Sequence, residues 1–373
     1  MTKSMLRYAI GLVALLTVFS SCKTNIDLIG DFEEKALVYG LLDPNDNPSN
    51  GGDGHFIRIQ RSFLGEASAF DMAMIPDSSY FDYNTTTVEI HRITISGLDT
   101  NILESWQLDT VNVQMKEDGV FFGPEQRLYH WDEDVIAGRT YMLEVNNSAT
   151  GYRAMSVMDM MDDTDYRWNK PNDNFIGNFT GLNLKRSDGT YFDFNTEFNT
   201  ADNASKYELW LRFYYREVTG TDTVFNEMNW NVGRNNFSKT DGIGIQNGNF
   251  VLSGEQVFSF IGSNLEPPAA GVTRLIGKSY NTQAGNGNKV GPEAFELVMY
   301  IAGSDYTDFL DVTGGNTAGL TDAPSYSNIE NGIGVFSCRT RKVFPRLVPN
   351  DSDDLQEFIA GQYTGDLQFQ TDQ

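Results

Sequence analysis

Two sets of oxygen-bearing side chains have spacings that admit metal chemistry. Asp43, Asn45 and Asn47 alternate, as the first ligands of an EF-hand calcium loop do. The pattern then breaks, because Pro48 stands where that loop needs glycine and Gly54 where it needs glutamate. Asp159, Asp162, Asp163 and Asp165 form a second acidic set that would clamp a cation between two domains. Solvated turn residues are the simpler reading of both sets, so calcium is the one cofactor that the sequence leaves open. Trp210, Tyr214 and Trp230 are large aromatics in polar surroundings and offer platforms for stacking a glycan.

Catalytic patterns are missing from the sequence. His55, His91 and His130 share no metal-ligand spacing. Residues 271–279 (GVTRLIGKS) hold five residues between their glycines where a phosphate-binding loop holds four. Neither Gly-x-Ser-x-Gly nor His-Glu-x-x-His occurs. Carboxylates are too abundant for one pair to stand out as a glycosidase dyad. No residue is assigned a catalytic role, and a non-enzymatic protein is expected.

The N-terminus carries an address. Lys3 and Arg7 precede an apolar run over residues 8–19, too short for a bilayer span and suited to a signal peptide. Residues 18–22 (VFSSC) resemble a lipobox, with Phe19 where that pattern has leucine. Cys22 would then be acylated, and more than one chain gives stable anchoring. Cys338 would be the one thiol left, so no internal disulfide is expected and a buried structural cysteine is. Without Lys3 and Arg7 the balance is 25 basic to 51 acidic residues. Such a surface repels phosphate backbones and excludes nucleic acid as a partner.

The elements that must position these residues are strands. Residues 36–42 form a compact apolar run, and Ile57 and Ile59 alternate with polar neighbours. Trp106 and Leu108 share one parity and Val111, Val113 and Met115 the other, which predicts a bulge or bend. In 206–216, Tyr207, Leu209, Leu211, Phe213 and Tyr215 face one side, while Trp210 and Tyr214 join the charged side. Residues 253–256 (SGEQ) read as a capping box before a helix, and 305–312 and 353–360 as weaker helices. The expected fold is mainly β: an N-terminal Ig-like β-sandwich, then a second β-rich sandwich-like domain with one or two short helices. The expected divisions are a signal peptide (1–22), a tether (23–34), a sandwich (35–160), a linker (161–174), a second domain (175–345) and a C-terminal tail (346–373).

Three segments, LVYGLLD (37–43), FIRIQRSFLG (56–65) and SNIENGIGVF (327–336), resemble a family of Bacteroidota envelope lipoproteins catalogued as a domain of unknown function. They bracket nearly all of the mature chain. The resemblance implies a β-rich lipoprotein associated with the outer membrane, and it transfers no catalytic residue. In this bacterial group an acidic-Thr-apolar triplet marks O-glycosylation, which makes Thr110 and Thr223, each in Asp-Thr-Val, candidate acceptors. Only one acid, Asp27, falls in the first five residues after Cys22, which favours the periplasmic face over the cell surface. The expected function is binding of an envelope protein partner at the outer membrane. The alternative is a glycan-binding accessory lipoprotein of a nutrient-uptake system.

Overall fold

The computed structural model describes residues 34–371, apart from 63–68, 115–118, 120–121, 173–179, 238–246, 282–290, 315–325 and 350–351. The leader, Cys22 and the tether up to residue 33 lie outside the described residues. The chain divides into two units, Met1–Glu34 and Lys35–Gln373, and the strands and helices of the described residues belong to the second. Among the described residues no helix is long and apolar enough to cross a membrane.

Eight strands come first, with period-2 burial clearest in the first, second and eighth. They are β1 (Ala36–Leu42), β2 (His55–Arg61), β3 (Thr86–Ser96), β4 (Asp99–Gln107), β5 (Asp109–Val113), β6 (Gln126–Trp131), β7 (Thr140–Asn147) and β8 (Tyr152–Asp159). Two short helices, α1 (Ala69–Ala73) and α2 (Pro76–Ser79), lie between β2 and β3. One sheet has the order β4-β3-β7-β8, and β1, β2, β6 and β5 run side by side in another. Trp131 of β6 joins them, its ring 5.3 Å from Trp106 of β4 and 5.8 Å from Tyr141 of β7. The parity change after Leu108 is neither a simple bulge nor a bend within one strand. It marks a change of sheet, since β4 belongs to the first and β5 to the second, with Leu108 buried between them.

The second half contributes β9 (Trp168–Lys170), β10 (Thr180–Leu182), β11 (Asp193–Asn199), β12 (Ala204–Thr219), β13 (Asp222–Asn236) and β14 (Asn247–Ser253). It continues with β15 (Thr273–Ile276), β16 (Tyr280–Asn281), β17 (Gly291–Pro292), β18 (Phe295–Gly303), β19 (Gly332–Pro349) and β20 (Phe369–Gln370). Its helices are α3 (Gly254–Asn264), α4 (Ser304–Thr313) and α5 (Ser352–Ala360). The main sheet here runs β20-β15-β12-β18-β19, with β13 along β12 and β10 along β19. Tyr207, Leu209, Leu211 and Phe213 of β12 are buried on its inner face. The sheet β14-β11-β9 covers part of that face, with Phe198 5.1 Å from Tyr207 and Trp168 6.2 Å from Phe344. Helix α5 covers another part, placing Phe358 5.3 Å from Phe213. Each fully buried phenylalanine stabilises the fold by about 1.5–3 kcal/mol.

The two halves share a strand. The first part of β19 pairs in parallel with β1, from Gly332 opposite Ala36 to Cys338 opposite Leu42. The second part pairs antiparallel with β18, from Arg339 opposite Ala302 to Leu347 opposite Phe295. Among the described residues one eleven-stranded sheet results. Residues 161–174, read from the sequence as a linker, supply Met161, Tyr166 and Trp168 to the same apolar cluster that holds Val38 and Phe344. Residues 346–373, read as a tail, carry α5 and β20 and bury Phe358 and Phe369. The mainly β expectation holds, and the second half, where one or two short helices are expected, has three among the described residues. Helix α3 starts at the SGEQ segment, yet the Ser253 side chain makes no capping bond. Instead the Gly254 N–H donates to the backbone carbonyl of Phe192 at 2.7 Å, so a neighbouring loop does the capping.

Candidate functional site

The oxygen-rich loop after β1 is tied to protein groups. The Asp43 carboxylate accepts from the Asn45 N–H at 2.9 Å and its Nδ2 at 2.7 Å, and from Arg339 Nε at 3.2 Å. Asn47 clamps Val135 from both sides, donating to its carbonyl and accepting its N–H at 2.9 Å each. In the second acidic set, Asp159 accepts from the Thr140 hydroxyl at 2.7 Å, and Asp162 accepts from the Thr164 N–H and hydroxyl. Asp163 pairs with Lys342 at 2.5 Å, and Asp165 is half-buried. These residues fasten loops to one another. Among the described residues no three His, Cys, Asp or Glu side chains gather in a geometry that would hold a metal ion.

The aromatic trio is split by the sheet. Trp210 and Tyr214 lie on the outer face of β12. Trp230 of β13 stands opposite Leu211, on the inner face, and stacks on Phe260 of α3 at 5.8 Å. A one-residue register shift between Leu209 and Trp210 sets this alternation. Trp210 therefore has a different aromatic partner, Tyr300 of β18, whose ring lies 6.5 Å away at 83°. Glu208, Trp210, Arg212, Asn229 and Tyr300 line a shallow depression of about 400 Å³. The Glu208 carboxylate accepts from Trp210 Nε1 at 3.0 Å, Arg234 Nε at 3.1 Å and Asn231 Nδ2. Beside it, the Tyr214 hydroxyl donates to Glu296 at 2.7 Å, and Lys278 donates to the other Glu296 oxygen at 2.7 Å. Burial, with the Glu296 carboxylate second, pushes the Tyr214 phenol up. Burial works against the Lys278 ammonium, but Glu296 and Glu293 outweigh it and hold its pKa above the usual value.

A second constellation lies at the far end of the first sandwich. Strands β3 and β4 form a hairpin in which Ser96 pairs with Asp99, leaving Gly97 and Leu98 as the turn. Gly97 takes φ +63°, the positive value that two-residue hairpin turns require. Leu98 is fully exposed, and Ile95, Ile102 and Leu103 are each more than half exposed. A register shift opposite Arg92 and Ile93 makes Leu103 an extra residue, and such a bulge re-aims side chains. Beneath the hairpin is a depression of about 490 Å³ lined by Arg92, Glu104, Trp106, Ile136 and the run Asp132–Asp134. Arg92 is engaged by Glu104 at 2.7 Å. Ser49 donates to Asp134 and holds its carboxyl below the usual range. The depression is thus acidic at neutral pH, with an indole and an isoleucine in its wall.

The sequence reading missed this hairpin. Its signal was present in 93–103 (ITISGLDTNIL), a glycine turn between apolar residues, but nothing in the pattern says that the sandwich ends before the tip. Thr110 on β5 and Thr223 on β13 are both exposed. Cys338 is buried, and burial pushes its thiol up to about 12. No protein-family model matches the chain, and no curated protein matches it.

Proposed function

We propose that this chain is a lipid-anchored, non-enzymatic envelope protein that docks a protein partner through the β3–β4 hairpin. The supporting observation is the row of exposed apolar side chains, Ile95, Leu98, Ile102 and Leu103, carried beyond the core on an edge hairpin. Exposed apolar groups gathered in this way mark interaction surfaces. Among the described residues β4 pairs with β3 alone, and its sequence, DTNILESWQ, has neither the proline nor the lysine that blunts sheet edges. An extended segment of the partner would add to that edge. The acidic depression below favours a basic side chain in that segment.

The anchor rests on the leader, the lipobox-like residues before Cys22 and the resemblance to Bacteroidota outer-membrane lipoproteins, and the periplasmic face on the scarcity of acids after Cys22. Exposed Thr110 and Thr223 would accept O-linked glycan, since both are accessible on outer strands. The Ala36 N–H donates to the Tyr152 hydroxyl, and Tyr152 leads through Asn147 to Thr86, the first residue of β3. Ten residues further along β3 the hairpin tip lies roughly 30 Å from that point.

Cross-linking and affinity capture of the full-length protein from native envelopes test the docking. The wild type should enrich one stoichiometric partner, and the double variant Leu98→Asp, Ile102→Asp should lose it. Recovery of no partner, or equal recovery by the variant, would overturn the reading. Palmitate labelling tests the anchor: the wild type should incorporate label and Cys22→Ala should not, and label retained by that variant would exclude Cys22 as the acceptor.

A further inference from the structure

We propose that the depression over Trp210 and Tyr300 is a carbohydrate site that takes an uncharged pyranose unit. It lies in the second half of the fold, on other strands than the docking hairpin, and does not depend on that reading. Aromatic neighbours across strands stabilise a sheet by themselves, but the Trp210–Tyr300 pair also lines an open depression with polar groups around it. Here β12 and β18 place the two rings side by side, half-buried and exposed respectively. Their planes stand at 83°, so a ligand lying on one ring meets the other at an angle. A pyranose is shaped for such a corner, with a C–H face for an aromatic plane and a hydroxyl rim for polar groups.

The polar groups are in place and held. Three donors fix the Glu208 carboxylate, one of them the indole N–H, so the Trp210 ring is oriented before any ligand arrives. Arg212 reaches the Tyr300 hydroxyl at 3.3 Å and brings a fork of donors to the same wall. Asn229 spends its Nδ2 on Glu227 at 3.1 Å, and no described group donates to its Oδ1. A carboxylate, an amide oxygen and a guanidinium thus surround two aromatic rings. That set matches vicinal hydroxyls, which both donate and accept. The opposed charges of Glu208 and Arg212 disfavour a strongly ionic ligand. A volume of about 400 Å³ suits one or two sugar units, and the open shape suits an inner unit of a longer chain.

Titration calorimetry of the full chain against trisaccharides of glucose, galactose, mannose and N-acetylglucosamine tests this. At least one should give saturable heat. Trp210→Ala and Asn229→Ala should each weaken it by roughly tenfold. Trp210→Phe should keep part of the binding, which separates stacking from a folding defect. Asn229→Ala removes only a surface amide, so it remains informative if the tryptophan variant fails to fold. No saturable heat with any of the four sugars at millimolar concentration overturns the proposal. So does binding unchanged in both alanine variants, or a response to adenosine monophosphate without any response to sugar.

Discussion

His55 shows what burial does to a single titratable group. It is the first residue of β2, almost wholly enclosed, with its ring 5.3 Å from Trp131. Burial lowers its pKa from 6.5 to about 4, against the opposing pull of Asp43, the Glu133 backbone and Asp134. Between those two values the unfolded chain binds a proton that the folded chain refuses. Stability is therefore complete above pH 6.5 and falls as the pH drops towards 4. Urea melts at pH 7 and pH 4.5 should differ by about 2–3 kcal/mol more in the wild type than in His55→Phe. Equal differences would remove His55 as the source. Other residues repeat the point that identity does not disclose role. Asp43, Asn45 and Asn47 look like ligands in sequence, yet their polar atoms are bonded to Asn45, Arg339 and Val135. Two of these partners lie far away along the chain, so no local pattern reveals them.

At the scale of elements, strands with one buried face are readable from sequence. The alternation in β12 and the apolar run of β1 are examples, because period 2 follows directly from the pleat. Helices α4 and α5 also fall where the sequence places them. Less readable is what lies across from a strand. Trp210 and Trp230 look alike in sequence, and only the β12–β13 register puts one outside and the other inside. Tyr300 enters the depression through the register of β18, more than eighty residues downstream of β12. Hairpin β3–β4 is a further case, since exposure depends on where the opposing sheet stops. Its apolar tip makes little contact within the fold, so the Leu98→Asp, Ile102→Asp variant used in the docking experiment should melt close to the wild type. Surface changes of this kind stay within about 0.5 kcal/mol. A large loss of stability would instead make the tip part of the core.

For the whole molecule, the shared strand matters most. Sequence reading divides the chain near 161–174 because polar residues cluster there, but Met161, Tyr166 and Trp168 sit among them and are buried. Strand β19 belongs to both halves, so neither half has a complete sheet without it. Gly334 lies in its β1-facing part with φ +120°, and a Cβ there would collide with the Val38 carbonyl oxygen. Gly334→Ala should lower Tm by roughly 5 °C and keep a single calorimetric transition, the backbone strain alone being worth about 1–3 kcal/mol. A variant in which the first half melts early while the second persists would show the halves to be independent. The same pairing has a mechanical consequence. Strand β1 is held on both flanks, by β2 and by β19, through bonds that run across its length. A pull on the chain ahead of Ala36 acts along β1 and loads those bonds in shear, all together rather than one after another. Strand β1 is thus a grip that resists a force applied along its own direction.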